Sequence, residues 1–245
     1  MVDVEVVVNE KVPKNSIILE GFQGVGLVGT LAAQYIAEKT NAKLVGYITS
    51  DALSPMALLI EGEIRHPMRI YQFKKGSQNF LIFESELPIP HKLSNIIARE
   101  IANFAKKNGI KEIVSLEGIA TPKKPTQSNV YYVTNMTDKV SKKVKDNAKL
   151  LKNGIIIGTS AALLIQAKLQ KIFTYALMAE AHSKFPDGLA ASELVKKINE
   201  IYNLEIDTSV LEKESKEFEN RLWKVVKKAE KLKSSEGQPK KTYIG

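Results

Sequence analysis

Gly24, Gly26 and Gly29 stand at G-x-G-x-x-G spacing within Gly24-Val25-Gly26-Leu27-Val28-Gly29. Glycines so placed let a backbone turn approach a pyrophosphate, and the amides of the helix that follows favour the anion. Asp51 lies about 20 residues further on, where such a fold puts the carboxylate that bonds a ribose hydroxyl. The flanking residues argue otherwise. Leu19-Glu20-Gly21-Phe22-Gln23 sets an acid and a bulky aromatic directly before the turn, and a carboxylate there repels phosphate unless it points away. The preferred reading is that the glycines serve a tight turn and close helix–sheet packing, with no cofactor. A nucleotide-binding enzyme or sensor built on Gly24, Gly26, Gly29 and Asp51 stands as the alternative.

Other groups that could do chemistry are sparse. His66, His91 and His182 are the only histidines; each falls in a separate predicted loop and none pairs with another at ligand spacing, so no metal site is expected. Glu84 and Glu86 could serve as paired acid–base groups, but solvated loop acids are the simpler expectation. Ser160 follows Gly158-Thr159 without the G-x-S-x-G context of a nucleophile elbow and reads, with Thr159, as a helix N-cap. No P-loop lysine motif occurs. Cysteine is absent, which excludes disulfides, thiolate metal sites and cysteine nucleophiles, and fits a cytoplasmic protein. No catalytic constellation emerges, and the expectation is a protein that is not an enzyme.

The elements that must position these residues alternate in type. Strands are expected at Val2–Val8, Ile17–Glu20, Lys43–Thr49, Met56–Ile60, Arg69–Phe73 and Asn79–Phe83, the last pair joined by a hairpin in which Gly76 supplies a positive φ. Helical spacing marks Leu27–Glu38, and Ser94 caps a helix to Lys107 closed by Asn108-Gly109. Then follow strands Glu112–Leu116 and Tyr131–Val133, a Lys-rich helix Asp138–Leu151, an apolar strand Ile155–Ile157, and a helix Ala161–Gln170. A buried strand Phe173–Ala179 and a helix Leu189–Tyr202 close the domain. This alternation predicts an α/β protein, a three-layer α/β/α sandwich whose mixed sheet has an antiparallel portion.

The C-terminal region differs in kind. Leu211, Ser215, Phe218, Leu222, Val225, Ala229 and Leu232 follow a 4-3-4-3 spacing, a coiled-coil-like seam on a long helix. Leu211, Phe218, Leu222, Val225 and Leu232 would either join copies or dock that face on the helix's own domain. The division expected is a core domain over 1–207, an amphipathic helix over 208–233 and a flexible tail over 234–245, the tail ending in Thr242-Tyr243-Ile244-Gly245. An apolar pair at the end of a polar tail points to partner binding by Tyr243, Ile244 and Gly245.

Composition sets the remaining bounds. Of 245 residues, 44% are hydrophobic and 26% charged, enough for a sizeable core. No apolar run approaches the roughly 18–20 residues of a membrane span, and the N-terminus lacks the pattern of a signal peptide. The formal charge is +9, of which +6 lies between Arg221 and Gly245. With Trp223 as the sole interleaved aromatic, that stretch reads as a solvated basic face and argues against nucleic acid as partner.

Several segments resemble the proteasome assembly chaperone family, in particular archaeal homologues of the second eukaryotic assembly chaperone. They are Leu19–Gly29, Leu116-Glu117-Gly118-Ile119-Ala120 and Gly154–Leu164. To these add Ala179-Glu180-Ala181 through Phe185-Pro186-Asp187-Gly188-Leu189-Ala190-Ala191, and Leu204-Glu205-Ile206-Asp207 before the final helix. The resemblance spans Ile17 to Leu232. It implies an α/β/α sandwich without known catalysis that forms homo-oligomers, a tetramer or pentamer, and engages proteasome α-subunits, the α-ring or a companion protein. Some members end in a hydrophobic-Tyr-any tripeptide that enters pockets between α-subunits; here Tyr243 stands third from the end instead of second.

Overall fold

The computed structural model describes residues 3–53, 55–121, 128–182 and 186–211, together with Lys224, Lys227 and Lys228. The first half holds β1 (Glu5–Val8), β2 (Ile17–Gly21), α1 (Val28–Lys39), β3 (Lys43–Thr49), β4 (Leu58–Ile60), β5 (Glu63–Arg65), β6 (Met68–Lys75), β7 (Gln78–Ser85) and α2 (His91–Lys107). The second holds β8 (Glu112–Thr121), β9 (Val130–Thr134), α3 (Lys142–Asn147), β10 (Lys149–Leu150), α4 (Thr159–Leu169), β11 (Thr174–His182) and α5 (Gly188–Tyr202). Among the described residues nine strands form one mixed sheet in the order β1-β3-β6-β7-β2-β8-β11-β9-β10, while β4 and β5 pair only with each other.

The centre of the sheet is parallel: β7, β2, β8 and β11 run the same way. Strands covered on both faces read as near-continuous apolar runs, and all five residues of β2 are buried, Glu20 among them. β1, β3 and β6 extend the sheet antiparallel on one side, and β9 lies antiparallel to β11 on the other. The turn at Gly76 (φ 58°) joins β6 to β7 in a register that sets Lys75 against Gln78 and Arg69 against Glu84.

Helices cover both faces. Leu31, Tyr35 and Ile36 of α1 share one core with Val144 of α3 and Leu194, Val195 and Ile198 of α5. Leu93, Ile97 and Ile101 of α2 share the opposite core with Ala162, Leu163 and Ala167 of α4. Each such leucine, isoleucine or valine, buried fully, contributes about 1.5–3 kcal/mol. α1 leaves β2 on one face, whereas α2 crosses from β7 to β8 on the other. The carboxyl end of β2 is therefore the point where connections part, and a crevice opens there.

Several expectations are corrected. Ile155–Ile157 is not a strand; Ile155 is 91% and Ile157 75% exposed in the connection before α4. A three-residue apolar run reads the same for a buried strand and an uncovered surface. The Lys-rich helix contracts to α3, since Ser141 caps its start by accepting from the Val144 N–H and β10 pairs with β9 directly afterwards. α2 begins a turn before Ser94, which is buried inside it, with Pro90 at the N-cap. Gly158 (φ 102°), not Ser160, caps α4. His91 opens α2 and His182 closes β11, so only His66, stacked on Tyr47, lies between elements.

Candidate functional site

At the carboxyl ends of β2 and β8 a cleft of about 490 Å³ is bounded by the glycine turn, the start of α2 and the start of α4. Glu20, Glu117 and Ser160 line it and are joined in one row by Ser115, buried beneath. Glu20 Oε2 lies 2.5 Å from Ser115 Oγ, Ser115 Oγ lies 2.9 Å from Ser160 Oγ, and Ser160 Oγ lies 2.9 Å from Glu117 Oε2. Burial raises the Glu20 pKa from its ordinary 4.5 to about 8; the nearby Glu117 charge adds to this, and the hydrogen bonds that Ser115 and the Phe22 N–H give its ionised form oppose it. Glu117 is also raised by burial, but it accepts from the Gly118 and Val25 backbone N–H groups and from Ser160.

Three contacts and two serine hydrogens require one proton from an end carboxyl, and the raised pKa of Glu20 assigns it there. A protonated Glu20 donates to Ser115, Ser115 to Ser160, and Ser160 to an ionised Glu117. Every group in the row is then satisfied, and the cluster carries one negative charge at Glu117.

That charge sits against the glycine turn. A Cβ on Gly24 would stand 1.8 Å from Glu117 Oε1, and the Val25 N–H of the turn is bonded to the same carboxylate. An internal anion thus takes the amide that a phosphate would use. Gly29 lies against β8, where a Cβ would stand 2.1 Å from the Leu116 carbonyl oxygen, and Gly26 adopts φ 61° with Leu27 also left-handed at φ 52°. Asp51 is exposed beyond β3, three strand positions from β2, and is not brought to the turn.

A second polar cluster replaces the solvated acids expected at Glu84 and Glu86. Both are buried at 1% exposure, as is Arg69 at 3%. Arg69 Nε donates to Glu84 Oε1 at 2.8 Å, and its Nη2 is paired with Glu86 Oε1. The cross-strand register of β6 and β7 makes the first of these pairs.

The surface beside the cleft is apolar. Ile155 and Ile157 are followed on α4 by Ile165 and Leu169, 60% and 71% exposed and four residues apart on one helix face. Among the residues expected on the oligomeric seam, Leu211 is 1% exposed and packs in the core shared by α1 and α5 of its own chain. Phe218, Leu222, Val225 and Leu232, and the tail residues Tyr243, Ile244 and Gly245, lie outside the described residues.

Comparison with known proteins matches residues 18–226 to the PAC2 family. The chain belongs to the PAC2 family. Among solved PAC2-like structures, Pyrococcus furiosus PbaA, described as an archaeal homolog of proteasome-assembly chaperone, is 31% identical with a TM-score of 0.84, covering 94% of this chain and 100% of that one. A protein of unknown function from Thermoplasma acidophilum is 27% identical with a TM-score of 0.84, covering 94% of each chain. An uncharacterized protein of Methanocaldococcus jannaschii is 28% identical, again over 94% of each chain.

Three of the segments that carried the resemblance, Leu19–Gly29, Leu116–Ala120 and Gly154–Leu164, meet at the cleft, and the Asp187 segment is tied to the glycine turn. Asp187, in the Pro186-Asp187-Gly188 element, is 1% exposed and caps α5 by accepting from the Ala190 N–H at 3.2 Å, while its other carboxylate oxygen accepts from the His182 N–H at 3.0 Å. Its own N–H donates to the Gly26 carbonyl at 2.9 Å. The glycine turn, the Glu117 strand, the start of α4 and the α5 cap are thus one interlocked unit. From the sequence Glu117 is placed only within a family-like segment; an acid in the middle of an apolar strand is the mark of a buried partner.

Among the described residues no cluster of His, Asp and Glu fits a metal ion, and no helix is long and apolar enough to cross a membrane.

Proposed function

We propose that this PAC2 protein is a non-enzymatic, homo-oligomeric chaperone of the proteasome-assembly type that binds proteasome α-subunits or a companion protein, its Tyr243-Ile244-Gly245 tail contributing to that contact. The observation that carries the reading is the run of uncovered apolar side chains at Ile155, Ile157, Ile165 and Leu169. Exposed apolar surface of this kind marks protein–protein contact. Its position beside a cleft whose polar groups satisfy one another favours recognition over catalysis. The likeness to PbaA names the kind of partner. Cytoplasmic residence follows from such a partner.

Co-purification of α-subunits with the full-length chain, and with a chain ending at Ser234, tests the proposal. Retention by the full-length chain and weakened retention by the shortened one are expected. Retention by neither would overturn it; equal retention by both would remove the tail from the contact.

A further inference from the structure

On the face of the sheet that carries α1, a second pocket of about 330 Å³ opens over β6 and β7, lined by different residues from those of the cleft. Its wall contains Gln34, which is only 6% exposed, and neither atom of the Gln34 side-chain amide has a hydrogen-bond partner among the described residues. A buried amide left unpaired costs about 1–3 kcal/mol, so native proteins supply a partner. Beside it lies the Arg69, Glu84 and Glu86 cluster. The three Arg69 nitrogens are already committed: Nε to Glu84 Oε1, Nη2 to both carboxylates, and Nη1 to the His66 carbonyl oxygen. The charged residues in the wall are Glu38, Arg65, Arg69, Glu84 and Glu86, a net charge of −1, and Arg65 turns to Glu63 at the surface. A concave site that is negative overall and holds an unpaired carbonyl oxygen selects a cation that can donate hydrogen bonds.

We propose that this pocket binds the guanidinium or primary ammonium group of a small molecule, with the Gln34 carbonyl oxygen accepting from it and the Glu84–Glu86 pair supplying the charge. The phenol of Tyr71, also in the wall, stays protonated, its pKa raised to about 12 by burial and by Glu84, so it adds no second negative charge. The site is independent of the proteasome reading, since none of its residues belongs to the apolar surface or the tail.

Calorimetric titration of the full chain with butylguanidinium, and with its uncharged isostere butylurea, tests the assignment. Butylguanidinium should bind at one site per chain and butylurea at least tenfold more weakly. Gln34→Leu should weaken butylguanidinium binding about tenfold or more while leaving unfolding of the free protein unchanged or shifted to higher temperature, because it removes an unpaired amide. Equal binding of the two ligands, no binding of either, or undiminished binding to the Gln34→Leu variant would overturn the proposal. A Gln34→Leu variant that unfolds at markedly lower temperature would overturn the premise that the amide is unpaired in the free protein.

Discussion

Replacing Glu20 by glutamine should stabilise the protein near neutral pH, contrary to the usual effect of altering a buried hydrogen-bonded residue. In the folded chain Glu20 holds its proton up to about pH 8, whereas an unfolded glutamic acid releases it near 4.5. Between those values the unfolded state binds fewer protons, so stability falls as pH rises, by about 1.4 kcal/mol per pH unit from this group. At pH 7, about 2.5 units above the ordinary value, holding the proton costs about 3 kcal/mol; below pH 4.5 it costs nothing. A glutamine amide donates to Ser115 as the protonated carboxyl does, its oxygen accepts from the Phe22 N–H, and it pays no proton-uptake cost in either state. Urea denaturation of both proteins from pH 5 to pH 8 measures the difference. Glu20→Gln should gain little at pH 5 and about 3 kcal/mol at pH 7. A variant less stable than the parent at pH 7, or an offset that does not change with pH, would refute the proton order deduced for the Glu20–Ser115–Ser160–Glu117 row.

Other substitutions probe the remaining structure. Gly29→Ala places a methyl group 2.1 Å from the Leu116 carbonyl oxygen and should destabilise by the upper end of about 1–3 kcal/mol in chemical denaturation. Arg69→Met leaves Glu84 and Glu86 buried without their cation and should cost about 3–5 kcal/mol by the same assay. Ile157→Asp, at a side chain 75% exposed, should change stability by no more than about 0.5 kcal/mol yet abolish α-subunit co-purification.

The strands and helices that bury one clear face were legible in the sequence. β3 occupies Lys43–Thr49 as expected, and the β6–β7 hairpin turns at Gly76. The expected strand ends, Phe73 and Asn79, set Arg69 opposite Phe83; the tighter turn at Gly76-Ser77 shifts the register by one residue and sets Arg69 opposite Glu84. Glu86 lies beyond the strand end, and nothing in its spacing shows that Arg69 reaches it. The Glu20–Glu117 row was harder to see: its members come from β2, β8 and α4, and only the parallel pairing of β2 with β8 brings Glu20 opposite Ser115. Ile155–Ile157 misled because hydrophobicity alone carries no mark of whether a surface is covered by the chain itself or left for a partner.

In the proposed function the apolar surface before and along α4 meets a proteasome subunit. Hydrogen exchange on the full-length chain, with and without α-subunits, tests it directly. Slowed exchange at residues 155–169 and in the tail, with the glycine turn and α5 unchanged, is the predicted result. Unchanged exchange across 155–169 in a chain demonstrably bound to α-subunits would contradict it.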